Sequence, residues 1–442
     1  MAKRVPQYTL DIHEAHIHGF SHDERGIALI NEKITFLEGG LPGEKVRFQY
    51  RKQHSRFDEG QVIEVLQAAP ERVAPICAHF SVCGGCSTQH IAPTAQIHFK
   101  QATLLEQLKH FGHLEPAEIL APITGPTAGY RRKARLGVKY VAKKNKVLVG
   151  FRERNGRYLA DLSACPVLDP QIGQLIEPLS HLIHSLSVYD QIAQIEVAIA
   201  AQMPVLVFRN LSALTVSDID TLKAFGAAHN LQLYLQPHST HLELIWPEAA
   251  HAHPLTYHLM DQNLELGFGP LDFMQVNADI NQKMINRALE ALELHADDKV
   301  LDLFCGLGNF SLALAQHCAH VVGVEGSDAM VERATENARL NTIQNAEFYK
   351  ADLNQDCRHL PWFKKAYDKI LLDPARSGAL EIIQQLNLQA IKKIVYVSCN
   401  PATLARDAGI LVNEKGFQLK KAGVIDMFPH TSHVEALAVF EK

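Results

Sequence analysis

The C-terminal part of the chain, residues 266–442, alternates short apolar runs with longer stretches of helical spacing. The apolar runs, which predict buried strands, cover residues 300–304, 320–324, 346–349, 369–372, 393–398, 418–424 and 433–440. Helical spacing covers residues 310–316, 328–340 and 382–391. Strands that alternate with helices pair into a mostly parallel sheet covered by helices on both faces. We therefore predict a doubly wound, Rossmann-like α/β domain for residues 266–442.

The N-terminal part follows a different pattern, in which apolar and polar positions alternate with a period of two. Short strands are predicted at residues 4–12, 26–31, 33–37, 45–51 and 58–66, with turns between them. Short strands separated by turns are typical of a small closed barrel of the OB type, a common platform for nucleic acids. We predict such a barrel over residues 1–68 and a mixed α/β domain over residues 69–265. Within the latter, residues 93–111 have helical spacing and residues 170–265 indicate no chemistry.

Acidic residues follow three of the C-terminal strands at the point where each strand ends: Glu325, Asp352 and Asp373. Ligands of open α/β sheets bind at the carboxyl ends of the strands. Each acid alone has a commoner explanation, as the N-cap of the next helix. Together with the turn Gly306-Leu307-Gly308 they predict a nucleotide-cofactor site, because glycines let the backbone approach a ligand closely.

The glycine turn also narrows the choice of cofactor. A dinucleotide fingerprint needs a third glycine three residues after Gly308, and Ser311 stands there instead. The sequence therefore lacks a full pyrophosphate cradle. This favours S-adenosyl-L-methionine, which has no phosphate, over NAD.

Cys399 directly follows the predicted strand at residues 393–398, and Asn400-Pro401 then turns the chain into a helix. A thiol at the end of a strand can reach a substrate, whereas a thiol in mid-strand cannot. A lone cysteine in an α/β protein is more often a small buried hydrophobe. The position alone leaves both interpretations open, and the neighbouring acids favour a nucleophile.

Four of the eight cysteines form a second candidate site, with Cys77, Cys83 and Cys86 spaced Cys-x5-Cys-x2-Cys and Cys165-Pro166 following later. The chain has no apolar signal peptide and no apolar run long enough to span a bilayer, so we expect a soluble, cytoplasmic protein. Clustered thiols in that compartment bind metal rather than form disulfides. The spacing suits an iron–sulfur cluster better than zinc, which remains the alternative.

The net charge of −5 conceals an asymmetry between the two parts of the chain. Residues 1–160 contain 23 Lys and Arg against 15 Asp and Glu, and the remainder contains 20 against 33. The most basic stretch, residues 130–157, includes aromatic residues that offer stacking surfaces. A solvated basic face is the usual explanation for such a run, but the near absence of opposing acids favours phosphate binding. The candidate RNA contacts are Arg131, Arg132, Lys133 and Arg135.

Five segments together carry a specific resemblance. They read FMQVN (273–277), DLFCGLGNF (302–310), LDPAR (372–376), SCNPATLARD (398–407) and DMFPHTSHVE (426–435). In this order they resemble the motifs of the RNA uracil-C5 methyltransferase family. The resemblance implies a class I methyltransferase domain, with Cys399 as the nucleophile and Glu435 as the general base. It also implies a set of S-adenosyl-L-methionine contacts, namely Gln275, Phe304, Gly306, Asn309, Glu325, Asp352 and Asp373.

Two further features are similar to one branch of that family. The segment GGLPGEKV (39–46) resembles the TRAM domain, and Cys77, Cys83, Cys86 and Cys165 match the ligands of a cluster-bearing branch, which implies a [4Fe-4S] centre. The expected function is S-adenosyl-L-methionine-dependent methylation of uracil C5 in 23S ribosomal RNA by a monomeric enzyme. The family also implies that the helix at 93–111 packs on the catalytic domain.

Several alternatives differ in specific sequence features. A tRNA uracil-C5 enzyme would lack both the barrel and the clustered cysteines, and another 23S enzyme of the family would lack the barrel. A radical S-adenosylmethionine enzyme would use Cys-x3-Cys-x2-Cys with an open iron site. A non-catalytic iron–sulfur RNA sensor would not need Cys399 and Glu435, both of which are present.

Overall fold

The computed structural model describes residues 11–154, 156–238 and 241–442. The chain divides into two compact units. The first comprises the described residues of Met1–Ser81, Gly85–Thr103 and Pro429–Ser432, and the second comprises those of Val82–Gly84, Leu104–Phe428 and His433–Lys442. Most of the strand predicted at residues 4–12, which opens the predicted barrel 1–68, lies outside the described residues. In the described part of the chain, no helix has the length and apolar character needed to cross a membrane.

The first unit contains a single six-stranded sheet. Its strands are β1 (His13–His16), β2 (Gly19–Phe20), β3 (Gly26–Ile30), β4 (Lys33–Glu38), β5 (Lys45–Gln53) and β6 (Phe57–Gln67). They pair in the order β1-β5-β6-β4-β3-β2, and only the β4–β6 pair is parallel. Alternate side chains point inward and form a small apolar core of Ala15, Ile17, Ala28, Leu37, Val46 and Phe48.

Helix α1 (Pro93–Gln107) continues as a π-helical turn, Leu108–Gly112, and the boundary between the units falls within α1. The π-helical turn packs against the helix that follows Cys399, where an added Cβ on Gly112 would lie 2.8 Å from the Ala405 carbonyl oxygen. Glycine is therefore required at this close approach.

The second unit contains a short strand, β7 (Glu118–Ile119), and then the strands and helices of a mixed sheet layer. The latter are β8 (Lys133–Val141), β9 (Lys146–Gly150), α2 (Pro170–Gly173), α3 (Ile176–Ser185), β10 (Ile192–Ile199), β11 (Pro204–Asn210), α4 (Val216–His229), β12 (Gln232–His238) and β13 (His241–Trp246). Strands β8 to β13 form a sheet in the order β13-β12-β11-β10-β8-β9, with β11 and β12 parallel. A hairpin of β14 (Thr256–Leu259) and β15 (Leu264–Gly267) follows.

The remaining elements build the sheet predicted from the C-terminal pattern. They are α5 (Ala278–Leu292), β16 (Lys299–Leu303), α6 (Ser311–Ala315), β17 (His320–Glu325), α7 (Asp328–Leu340), β18 (Ala346–Lys350), β19 (Lys369–Leu372), α8 (Leu380–Gln385), β20 (Lys393–Ser398), α9 (Pro401–Asn413), β21 (Gln418–Ile425) and β22 (Glu435–Glu441). The order is β18-β17-β16-β19-β20-β22-β21-β7. Strands β16 to β20 are mutually parallel, and β22 is antiparallel to both its neighbours. The sheet also includes β7, a strand from residues that the sequence analysis placed in the central domain.

A buried carboxylate, that of Asp407 in α9, joins three elements of this sheet layer. Its Oδ2 accepts hydrogen bonds from the Tyr396 hydroxyl and from the Ala379 amide, each at 2.7 Å. The Arg406 Nε donates to its Oδ1 at 2.8 Å. The Asp407 side chain is fully buried, and so are Tyr396 and Ala379, so these two donors depend on it.

We predict that Asp407→Ala lowers the free energy of unfolding by about 3 kcal/mol, because two buried donors lose their acceptor. Urea denaturation measures the change. The control is Asp297→Ala at an exposed position, which should change stability by less than about 0.5 kcal/mol. Equal stability of the two variants would contradict the prediction.

Candidate active site

The pairing of β22 with β20 brings Cys399 and Glu435 together. The register places Ser398 opposite Ala436, so the residue after β20 and the first residue of β22 lie side by side. Cys399 is half-buried and Glu435 is buried at 8% exposure. Their charges interact, since the Glu435 carboxylate is one of the groups that raise the pKa of the Cys399 thiol.

The Cys399 thiol lies in surroundings that disfavour its thiolate. Burial, with the nearby carboxylates of Glu435 and Asp373, raises the pKa of Cys399 to about 11. The Arg376 guanidinium acts in the opposite direction and lowers it. Without a ligand, therefore, the protein holds this cysteine as a neutral thiol at neutral pH.

Arg376 is itself held at this rim by its neighbours. Its backbone carbonyl accepts hydrogen bonds from Asn400 Nδ2 at 3.0 Å and from Thr403 Oγ1 at 3.3 Å. Its Nη2 lies 2.7 Å from Nδ1 of His433, on the segment that leads into β22. Arg376 and His433 were not among the predicted site residues, although they lie within the segments LDPAR (372–376) and DMFPHTSHVE (426–435).

The predicted glycine turn between β16 and α6 has an unusual backbone. Phe304 has a φ of +66°, a region that non-glycine residues rarely occupy, and its amide donates to the Val324 carbonyl at 2.8 Å. Gly306 has a φ of +56°, and an added Cβ there would meet no atom within 4 Å. The turn thus leaves open space directly above its backbone, where a ligand can approach.

Two acids flank this turn at the ends of β17 and β18. The Glu325 carboxylate accepts from the Gly306 amide at 3.1 Å, and also from the amides of Gly326 and Ser327. Backbone and side-chain hydrogen bonds from Asn354 lower the pKa of the exposed Asp352. Both carboxylates are hydrogen-bond acceptors with lone pairs remaining, which is the chemistry needed to bind ribose hydroxyls.

Two further acids lie on neighbouring strands, Asp302 within β16 and Asp373 directly after β19. Burial raises the pKa of Asp373 to about 7. Burial also raises the pKa of Asp302 to about 7, and the charges of Asp373 and Glu325 add to the effect. The rim therefore carries the ionised Asp352 beside acids that are partly protonated at neutral pH.

Asn309 and Gln275, the other predicted cofactor contacts, are held by residues that the sequence analysis missed. Asn309 Oδ1 accepts from the Tyr257 hydroxyl at 2.9 Å and from Asn281 Nδ2 at 3.0 Å. The Gln275 carbonyl accepts from Arg132 Nε at 2.7 Å. Tyr257 lies in the β14–β15 hairpin, far from any recognised motif, so sequence pattern gave no indication of its contact.

The four clustered cysteines are all partly exposed, and none of them is in a disulfide. Cys77 and Cys86 belong to the first unit, and Cys83 and Cys165 to the second. In the part of the chain that the structure describes, no group of three or more His, Cys, Asp or Glu side chains is arranged to hold a metal ion. The donor set itself, four thiols with none in a disulfide, has the chemistry that an iron–sulfur cluster needs.

The predicted RNA contacts occupy different environments. Arg135 is exposed and forms an ion pair with Glu196 at 2.5 Å. Arg131 is half-buried, and Lys133 donates to the Pro270 carbonyl at 2.7 Å, with its pKa lowered by burial. Arg132 is only 7% exposed. The Arg132 guanidinium thus presents little surface to a phosphate, and its RNA contact stays a prediction.

A solved structure shares this architecture. It is the *Pyrococcus abyssi* tRNA (uracil-54, C5)-methyltransferase in complex with S-adenosyl-L-homocysteine, which is 21% identical with a TM-score of 0.73, covering 97% of this chain and 100% of that chain. This likeness shows a Rossmann-like methyltransferase fold.

Sequence comparison identifies the family. The family model described as tRNA (Uracil-5-)-methyltransferase matches residues 94–442. A protein of *Nitrosococcus oceani* named 23S rRNA (uracil(1939)-C(5))-methyltransferase RlmD is 52% identical over 97% of this chain and 96% of its own length. A protein of the same name from *Alkalilimnicola ehrlichii* is 48% identical over 100% of this chain and 98% of its own. The chain belongs to the tRNA (uracil-5-)-methyltransferase family, which confirms the resemblance inferred from its motifs.

The opposing charges around Cys399 predict the behaviour of its thiol. Alkylation by iodoacetamide should be slow at pH 7 and should accelerate about tenfold per pH unit towards pH 10, because only the thiolate reacts. Arg376→Gln should slow alkylation roughly three- to tenfold at fixed pH, and Glu435→Gln should accelerate it by a similar factor. Peptide mass spectrometry measures the rate, with Cys399→Ala as the blank. Changes of the same sign in both variants would overturn this electrostatic account.

Proposed function

We propose that the protein transfers the methyl group of S-adenosyl-L-methionine to C5 of a uridine in 23S ribosomal RNA, through a covalent adduct on Cys399. The observation that carries this proposal is the register of β22 on β20, which sets a thiol beside a buried carboxylate at the rim of a methyltransferase sheet. The near-full-length relatives named 23S rRNA (uracil(1939)-C(5))-methyltransferase support the substrate and its position.

The reaction needs a nucleophile because uracil C5 alone attacks electrophiles poorly. Cys399, as the thiolate, adds to C6 of uracil, and the electron pair of the C5–C6 double bond makes C5 an enolate carbon. S-adenosyl-L-methionine, when bound, supplies an electrophilic methyl group to that carbon. Glu435 then removes the remaining C5 proton, and the electrons of the C–H bond re-form the double bond as the thiolate leaves C6.

The raised pKa of Cys399 gives Arg376 a role in this scheme. A thiol with a pKa of about 11 supplies little thiolate at neutral pH. Arg376 favours the thiolate, and neutralisation of Asp373, whose pKa is about 7, would remove one of the opposing charges. We therefore assign to Arg376 the electrostatic support of the nucleophile.

For the cofactor, the open turn and its flanking acids supply complementary groups. Glu325 and Asp352 offer carboxylates to hydroxyl groups, and the open space above Gly306 admits a nucleoside. The complete proposed set of contacts is Gln275, Phe304, Gly306, Asn309, Glu325, Asp352 and Asp373. The exposed Arg135 and the half-buried Arg131 and Lys133 are proposed to contact RNA phosphates.

The first unit is proposed to be a TRAM barrel that contributes to RNA binding, on the support of its six short strands and the GGLPGEKV segment. Cys77, Cys83, Cys86 and Cys165 are proposed to hold a [4Fe-4S] cluster. Methyl transfer consumes no electron, so the cluster would stabilise the fold rather than take part in the chemistry. We further propose that the protein acts as a cytoplasmic monomer.

The two catalytic roles predict different variant behaviour. Cys399→Ala should abolish both methylation and covalent attachment to RNA. In Glu435→Gln, Cys399 should still add to C6 of uracil, and the methyl group should still be transferred to C5. Release of Cys399 from C6 should then stall, because the C5 proton stays in place. A protein–RNA species that carries the methyl group should therefore accumulate on a denaturing gel.

The trapped species also identifies the substrate. Total RNA, including both ribosomal RNA and tRNA, from a strain lacking the protein is incubated with Glu435→Gln, and primer extension locates the attached nucleotide. An adduct at one uridine of 23S RNA supports the proposal, whereas an adduct on tRNA would support the tRNA alternative. Normal turnover of Glu435→Gln without an adduct would assign the base to another residue.

The cysteine cluster predicts a colour. Protein purified without oxygen should be brown and absorb broadly near about 400 nm, as iron–sulfur proteins do. Cys83→Ser should lose this absorbance, while the control Cys357→Ala, at a buried cysteine outside the proposed ligand set, should retain it. Colourless wild-type protein with one equivalent of zinc would overturn the cluster assignment.

A further inference from the structure

Arg132 lies in the most basic stretch of the chain, yet its side chain points into the protein. It is 7% exposed, and its Nε donates to the Gln275 carbonyl at 2.7 Å. Its backbone amide donates to the Val276 carbonyl at 2.9 Å. Arg132 therefore holds the backbone of the FMQVN segment at two successive carbonyls.

The same guanidinium lies over an aromatic ring. The Arg132 Cζ is 4.5 Å from the centroid of Tyr257, which is 4% exposed. A desolvated cation over a ring face is an attractive contact, and it fixes the plane of the ring. The Tyr257 hydroxyl donates in turn to Asn309 Oδ1 at 2.9 Å.

The Asn309 amide is consequently held in one orientation. Its Oδ1 accepts from Tyr257 and from Asn281, and its Nδ2 donates to Asn281 Oδ1 at 2.9 Å. An amide nitrogen has two donor hydrogens, so a second N–H remains to meet a ligand. The reciprocal pair with Asn281 and the contact with the Tyr257 hydroxyl thus fix the position and the plane of the Asn309 amide.

Burial of Arg132 is costly to the fold. Desolvation lowers the pKa of its guanidinium, and its Nη2 has no hydrogen-bond partner among the described residues. A buried donor without an acceptor destabilises a protein, and an apolar side chain of similar length would avoid that cost. Packing alone therefore does not explain an arginine at this position.

We infer that Arg132 is a positioning residue of the cofactor site, which couples Gln275 on one side to Asn309 on the other through Tyr257. The inference rests on the proposed function, in which Gln275 and Asn309 contact S-adenosyl-L-methionine. It assigns a residue of the basic stretch to cofactor binding and not to RNA binding.

The test compares two affinities in the full-length protein. S-adenosyl-L-homocysteine binding is measured by calorimetry, and binding of a 23S RNA fragment by filter retention at fixed salt. Arg132→Met, which keeps length and removes charge and donors, should weaken S-adenosyl-L-homocysteine binding about tenfold, and should change RNA affinity less than about twofold. Arg132→Lys, which keeps the charge, should recover part of the loss.

Matched variants separate positioning from general damage. Arg339→Met, at an exposed position of α7, should change neither affinity. Arg135→Met should weaken RNA binding and leave S-adenosyl-L-homocysteine binding unchanged. Tyr257→Phe, which removes only the hydroxyl, should weaken S-adenosyl-L-homocysteine binding, and its effect should not add to that of Arg132→Met, because both act through the same contact to Asn309.

The outcomes distinguish this inference from the proposed function. Wild-type protein that binds no S-adenosyl-L-homocysteine would contradict the proposed function. If the wild type binds and Arg132→Met binds equally well, or loses RNA affinity instead, the positioning role is wrong while the proposed function stands. Should Arg132→Met fail to fold, the Arg132→Lys and Tyr257→Phe variants decide the question, and unchanged S-adenosyl-L-homocysteine affinity in both would refute the coupling.

Discussion

The antiparallel pairing of β22 with β20 is the constraint on which the site depends. In a purely parallel sheet every strand would bring its carboxyl end to the functional rim. Because β22 runs the other way, it brings its amino end there, and the first residue of the strand, Glu435, lies beside Cys399, the residue that directly follows β20. A one-residue slip would turn every side chain of β22 to the opposite face of the sheet. The apolar residues of β22 are buried along their length, so the packing of the core fixes the register that the site needs.

The same burial that fixes the register also disfavours formation of the Cys399 thiolate. Burial disfavours charge at this rim and raises the pKa values of Cys399 and Asp373, and for Cys399 the charges of Glu435 and Asp373 add to the effect. The positive charge of Arg376 opposes this effect and lowers the pKa of Cys399. The Arg376 backbone is held by Asn400 and Thr403 at the start of the helix that follows Cys399. The nucleophile and the cation that supports it are thus positioned by one helix N-terminus.

Sequence pattern predicted the parts of the molecule that depend on local order. The bounds of α7 (Asp328–Leu340) and β20 (Lys393–Ser398) match the prediction, since both are regular in their apolar spacing. The helix predicted at 382–391 is shorter, because the backbone becomes extended at Leu386 and α8 ends at Gln385. The order of strands and helices was enough to predict that the carboxyl ends of the parallel strands lie at one rim. The hydrogen bond from Tyr257 to Asn309 depends instead on how the β14–β15 hairpin packs, which a local sequence pattern does not predict.

The burial of Arg132 within a basic stretch has a specific physical origin. The positive charges of residues 130–157 form a run in the sequence, whereas a strand divides its residues between two faces with a period of two. In β8 the buried positions are Ala134, Leu136 and Val138, alternating with more exposed residues. If this alternation continues towards the N-terminus by one period of two residues, the next buried position after Ala134 is Arg132. The alternation of the sequence therefore already assigned this arginine to the apolar face, and a cation on such a face requires an internal partner. Its partners are the Gln275 carbonyl and the ring of Tyr257, whose hydroxyl donates to Asn309 in the turn between β16 and α6.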